Sequence, residues 1–95
     1  MTQLIELIQN IDDLEIFGSN QIAVNRISNN SKKIKSGDIY IAIKGSNYDG
    51  HDFIDDAIKG GAVCIICEVY PLTKLENITY IRINQISVNM FTDIF

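Results

Sequence analysis

Ile39-Tyr40-Ile41-Ala42-Ile43, Gly45-Ser46-Asn47-Tyr48-Asp49-Gly50, His51-Asp52-Phe53-Ile54-Asp55-Asp56-Ala57-Ile58-Lys59-Gly60-Gly61 and Ala62-Val63-Cys64-Ile65-Ile66-Cys67 follow one another with only Lys44 between them. The first run is apolar at every position and bounded by turn formers, the mark of a strand buried on both faces and expected at the sheet centre. The second is a loop by composition. The third carries Phe53, Ile54, Ala57 and Ile58 as one helical stripe, with Asp52 placed to cap its start and Gly60 or Gly61 to take the left-handed position at its end. The fourth is a second buried strand. Strand, loop, helix and strand in this order predict a right-handed βαβ unit and hence an α/β fold.

Outward from this unit the periodicity changes. Leu4, Ile5, Ile8 and Ile11 lie on one helical face, which predicts a helix near 3–11 with Thr2 as its cap and Asp12-Asp13 as its end. Leu14 to Phe17 reads as a brief strand, Gly18-Ser19-Asn20 as a turn, and Ile22 to Ile27 as a strand whose alternation holds and then slips. Ser28 to Ser36 is polar and holds three lysines, and Pro71 to Asn77 is a surface connection. Ile78 to Ile83 alternates as a further strand. Ile86, Met90, Phe91, Ile94 and Phe95 mark a last helix near 86–95 that stops on its own apolar face, so the chain is expected to continue beyond Phe95. The sum is a single α/β domain over 1–95, with a mixed sheet of four to five strands and helices near 3–11, 52–60 and 86–95.

Composition excludes several classes. A chain of 95 residues at 46% hydrophobic and 21% charged has ordinary globular composition, and its net charge of −4 disfavours nucleic acid as a partner, since binding phosphates needs a basic surface. No apolar run approaches the ~18 residues of a membrane span, and no signal peptide opens the chain, so no membrane partner is expected and the cytoplasm is the default location. Cys64 and Cys67 form a C-x-x-C, a spacing that serves redox or zinc chemistry elsewhere. Three residues apart on one strand they face opposite sides of the sheet, which predicts buried structural thiols. His51, the only histidine, is expected in a turn or cap, and Asp49, Asp52, Asp55 and Asp56 are expected to serve the helix dipole and solvent rather than a metal. H-E-x-x-H, G-x-S-x-G and G-x-x-x-x-G-K-[ST] are all absent from the sequence, leaving no catalytic set to assign. A binding surface remains. Ser28-Asn29-Asn30-Ser31-Lys32-Lys33 and Gly45-Ser46-Asn47-Tyr48 both leave the ends of predicted strands, where open α/β sheets place ligands. They bring together hydroxyls, amides, a phenol ring and lysines.

From Ile27 to Glu68 the chain closely resembles the N-terminal domain of the Mur ligases. The resemblance is carried by Ser31 through Ile43-Lys44-Gly45, then Asp49-Gly50-His51-Asp52-Phe53-Ile54, Ala57-Ile58 and Gly61-Ala62-Val63. Within that family the D-G-H-D-F-I stretch is most like the ligases that use UDP-N-acetylmuramoyl-L-alanyl-D-glutamate and add the third peptide residue. The sister ligases that add D-alanyl-D-alanine more often read D-G-N-x-F-A. The resemblance implies a domain that holds the uridine diphosphate end of the muramoyl dipeptide, with Asn29, Ser31, Ser46, Asn47 and Tyr48 as binding positions. It implies that ATP, magnesium and catalysis belong to central and C-terminal ligase domains that would be this domain's partners, with no cofactor held here. Asn30 and Lys32 depart from the family's usual Asp and Arg, removing a charged acceptor that orients the loop and a planar fork. Three other readings stay open: a free-standing non-catalytic domain, either a remnant or a partner-binding module; the N-terminal domain of the sister ligase that adds D-alanyl-D-alanine; and thiol redox chemistry at Cys64 and Cys67.

Overall fold

The computed structural model describes residues 2–84 and Ile86. The elements are β1 (Thr2–Gln3), α1 (Leu4–Ile8), β2 (Leu14–Phe17), β3 (Ala23–Val24), β4 (Ile27–Ser28), β5 (Ile39–Ile41), α2 (Ile54–Lys59), β6 (Cys64–Cys67) and β7 (Thr79–Ile83). Single 3-10 turns at Ser31–Lys33 and Gly50–Phe53 precede β5 and α2 respectively. The main sheet has five strands in the order β2-β7-β6-β5-β4. β4, β5, β6 and β7 run parallel, and β2 closes the edge antiparallel to β7. The α/β class and the mixed sheet expected from sequence are therefore present, and β5, α2 and β6 form the βαβ unit.

Side-chain alternation splits the interior in two. Ile39, Ile41, Cys64, Ile66, Ile81 and Ile83 meet Leu4 and Ile8 of α1 on one face. Tyr40, Ile65, Cys67 and Tyr80 meet Ile54 and Ala57 of α2 on the other. Each buried isoleucine contributes about 1.5–3 kcal/mol of transfer free energy, so these two layers carry most of the folding drive. The cysteines fall on opposite faces, both free and buried. Burial pushes the Cys67 thiol up to about 11, against the opposing effect of Arg82 and Lys74, and pushes the Cys64 thiol up strongly. The thiolate is the reactive form, so neither cysteine should react with an alkylating reagent in the native chain near neutral pH, while both should react in urea. Rapid native labelling of either, followed by mass spectrometry, would revive the redox reading.

Five expectations are corrected. β6, not the strand at Ile39, is the centre of the sheet, with β5 and β7 on its two sides. Thr2 is not a cap: Thr2 and Gln3 pair antiparallel with Val24 and Ala23, and the Leu4 amide donates to the Ile22 carbonyl at 2.8 Å, so a backbone carbonyl just before β3 rather than a hydroxyl serves the first helical amide. That helix ends at Ile8, short of residue 11, and Asp13 turns the chain at φ 59°. The run Ile22 to Ile27 is two strands in two sheets, and the slip in its alternation is the corner between them. Asn25 holds that corner, its amide donating to the Gly37 carbonyl at 2.9 Å and its Nδ2 to the Ser36 carbonyl at 3.0 Å. Finally, Asp52 does not cap the helix over 52–60; Asp49 caps the 3-10 turn, and α2 proper begins at Ile54. Gly61, at φ 114°, takes the left-handed position. The helix expected near 86–95 lies outside the described residues beyond Ile86.

Candidate functional site

Parallel β4 and β5 lie side by side, so the loops at their carboxyl ends emerge together, and a groove of about 350 Å³ opens between them. Asn29, Asn30, Ser31 and Lys32 form one wall, Tyr48 and Phe53 the other, and Tyr40 contributes from β5. Three of the positions expected from sequence, Asn29, Ser31 and Tyr48, line this groove. Ser46 and Asn47 are exposed on the adjoining loop and are not among its lining residues.

The first wall is shaped by short side chains bonding to their own backbone. Ser28 Oγ accepts from the Asn30 amide at 3.1 Å, and Asn30 Oδ1 accepts from the Lys32 amide at 3.0 Å, capping the 3-10 turn. This is the habit that makes Ser and Asn turn formers. Asn30 thus supplies the acceptor whose loss its departure from Asp had suggested; what it lacks is the negative charge. Behind this loop Arg26 Nη2 donates to the Lys33 carbonyl at 3.0 Å and to Asp38 Oδ2 at 2.9 Å. The Lys35 amide donates to the same carboxylate oxygen at 2.8 Å. Asp38 is 1% exposed, the one buried carboxylate among the described residues.

The second wall is a tight loop from Lys44 to Gly50. Lys44 and Asp49 form an isolated antiparallel bridge, and the Gly45 amide donates to the Tyr48 carbonyl at 2.8 Å. Tyr48 is 57% exposed and meets Phe53 edge to face, with ring centres 5.9 Å apart. Tyr40, a buried strand residue that sequence reasoning placed only in the core, donates its phenol hydrogen to the Gly50 carbonyl at 2.7 Å. Burial pushes that phenol up to about 12, so it stays a donor throughout the neutral range. The His51 amide and then its ring, both against Asp49 Oδ1, hold the Asp49 carboxyl below the usual carboxylate range. A depressed folded value means that the carboxylate's contribution is present above the unfolded pKa and is lost as pH falls through the lower, folded one.

The groove therefore offers a hydroxyl, two amides, an ammonium group and aromatic surface on a frame of backbone bonds. That combination suits a ligand with a planar ring and an anionic group. Among the described residues, no group of three or more His, Cys, Asp and Glu could hold a metal ion.

Residues 23–92 match the family described as Mur ligase family, catalytic domain. The chain is 39% identical over 83 residues to a UDP-N-acetylmuramoyl-L-alanyl-D-glutamate--2,6-diaminopimelate ligase of Phocaeicola vulgatus, covering 87% of this chain and 17% of the relative. It is 38% identical over 86 residues to a second such ligase, from Clostridium acetobutylicum, covering 90% of this chain and 18% of the relative. Among solved structures, MurF from Acinetobacter baumannii superposes with a TM-score of 0.60 at 25% identity over 85% of this chain and 17% of that one. MurF ligase from Thermotoga maritima, solved in complex with ADP, gives 0.53 at 41% identity over 59% of this chain and 13% of that one. The chain thus spans less than a fifth of the length of these curated relatives. With the family matched over most of its length and the same fold in the solved relatives, the chain belongs to the Mur ligase family.

Proposed function

We propose that this is the N-terminal, substrate-anchoring domain of a ligase of this family, holding the uridine diphosphate end of UDP-N-acetylmuramoyl-L-alanyl-D-glutamate in the groove between β4 and β5. The observation that carries the reading is the convergence on one groove of Asn29, Ser31, Lys32 and Tyr48 from two loops that are far apart in composition terms from the apolar strands they follow. In this reading Lys32 neutralises phosphate, the Ser31 hydroxyl and Asn29 amide pair with polar edges, and the Tyr48 ring gives a flat surface for the base. Ser46 and Asn47 complete the second loop.

In the whole ligase, ATP and magnesium would be held by central and C-terminal domains, where the D-glutamyl carboxylate is activated as an acyl phosphate and attacked by the incoming amine. The present sequence carries no glycine-rich phosphate loop for that task. Its contribution is binding energy remote from the reacting carboxylate, which positions that group and lowers the entropic part of the barrier. The working place of such an enzyme is the cytoplasm. No helix among the described residues is long and apolar enough to cross a membrane.

An amide-resolved NMR titration tests this. UDP should shift residues 29–32 and 45–49, AMP should not, and Ser31→Ala should weaken the response roughly five- to tenfold, the scale of one hydrogen bond. A well-dispersed spectrum that ignores millimolar UDP would reduce the assignment to family membership alone. The solved MurF relatives favour a second reading, a domain of the ligase that adds D-alanyl-D-alanine. Assay of the whole gene product with UDP-muramoyl dipeptide against tripeptide separates the two; the curated relatives and the D-G-H-D-F-I stretch favour the dipeptide.

A further inference from the structure

His51 does more than its place in a 3-10 turn requires. The turn is capped by the His51 backbone amide, which donates to Asp49 Oδ1 at 3.0 Å, and any residue other than proline supplies that bond. The ring makes separate contacts at both nitrogens. Nδ1 lies 2.7 Å from the same Asp49 oxygen. Nε2 receives the amides of Glu68 at 3.0 Å and Val69 at 3.3 Å, at the carboxyl end of β6. A nitrogen that accepts from two backbone N–H groups presents its lone pair, so the ring proton sits on Nδ1 and is donated to the carboxylate. The side chain is mostly buried, which strengthens all three bonds.

We propose that His51 is a positioning residue of the groove: its imidazole, fixed as the Nδ1–H tautomer, ties the Lys44–Gly50 loop to the end of β6 and so sets where Tyr48 stands. Beside the Tyr48–Phe53 ring contact, the loop's other hydrogen bonds to the sheet, among the described residues, lie at one place, the end of β5, where the Tyr40 phenol donates to the Gly50 carbonyl and the Gly50 amide donates to the Ile43 carbonyl at 2.9 Å. The imidazole adds a second anchor on a different strand. Two anchors on neighbouring strands remove the hinge that a single one would leave. The consequence for ligand affinity rests on the groove being the nucleotide site; the consequence for the loop does not.

The test uses the whole 95-residue chain with 15N-labelled histidine. Long-range proton–nitrogen correlation at mildly alkaline pH should show Nδ1 protonated and Nε2 bare, with or without UDP. His51→Asn keeps a donor near the Nδ1 position and drops the bond to β6; His51→Gln keeps an acceptor near Nε2 and drops the bond to Asp49. Both should speed amide exchange across 45–49 relative to the rest of the sheet, and both should weaken UDP binding about tenfold. A proton on Nε2, or variants with parent-like loop exchange, would overturn the proposal. If both variants fail to fold, the ring spectrum of the parent chain decides alone. If the parent chain ignores UDP while loop exchange responds as expected, the nucleotide reading falls and the positioning role stands.

Discussion

Replacing Gly50 with alanine is expected to cost about 2–4 kcal/mol of stability and to abolish the response of the groove to UDP. The reason is space. An added Cβ at residue 50 would stand 2.7 Å from the Ile43 amide nitrogen and 2.8 Å from the Ile43 carbonyl oxygen, both backbone atoms at the end of β5. Neither can rotate aside, so the loop must lift from the strand. Lifting lengthens the Gly50 amide bond to the Ile43 carbonyl, and it strands the Tyr40 phenol, which is buried and has the Gly50 carbonyl as its acceptor. An unpaired buried hydroxyl adds its own penalty of about 1–3 kcal/mol. Gly60→Ala is the matched control: its backbone is helical at φ −76°, and the nearest atom to its new Cβ is the Ile34 carbonyl oxygen at 3.3 Å. That variant should move stability by less than about 1 kcal/mol in either direction. Urea unfolding at constant m-value compares the two; a Gly50→Ala midpoint equal to that of Gly60→Ala would mean that the loop does not sit against β5 as described.

The same region shows why the fold was more legible than the groove. The βαβ unit could be read because its signals are local: apolar runs at Ile39 and Val63, a helical stripe at Phe53, Ile54, Ala57 and Ile58, and glycines at the helix end. The divergence of Cys64 and Cys67 needed only the two-residue period of a strand. The corner at Asn25 was not legible in the same way, because a chain leaving one sheet for another is a tertiary event, and only the slip in alternation marked it. Tyr40 illustrates the matching limit for the groove. Its strand pattern announces burial, and nothing in that pattern says that its hydroxyl meets a carbonyl ten residues on. Loop composition identified which segments gather at the strand ends. It could not tell that Tyr48 would face the groove wall while Ser46 and Asn47 stay in solvent, since that depends on the Lys44–Asp49 bridge and the anchors at Gly50 and His51.

Asp38→Ala carries the second large effect, about 3 kcal/mol, for an electrostatic rather than a steric reason. The carboxylate is buried and a single oxygen serves two donors, Arg26 Nη2 and the Lys35 amide. Alanine leaves the Lys35 amide without that acceptor, empties the space around it, and frees Arg26, whose remaining partner is the Lys33 carbonyl. Arg26 is 53% exposed and can turn to water, so its own loss of pairing is mild, while the cost falls on the lost Lys35 amide bond, which ties the turn from Lys35 to Asp38, and on the space left at a position 1% exposed. Asp38→Asn keeps an oxygen acceptor for the Lys35 amide and should lose only about 1–2 kcal/mol. Arg26→Ala leaves the buried carboxylate with one donor in place of two, and combined with Asp38→Ala it should cost less than the two single changes added, because the pair is removed together. The effect should also reach the groove. Asp38 and Arg26 together hold the segment from Lys33 to Lys35, which directly continues the 3-10 turn bearing Ser31 and Lys32, so Asp38→Ala should slacken that wall while leaving the Tyr48 loop in place. Amide exchange should therefore rise across 29–36 and stay low across 45–50, the reverse of the pattern expected for the His51 variants. Equal loosening of both loops would mean that the two walls are not held separately, and the assignment of Asp38 to one of them would fail.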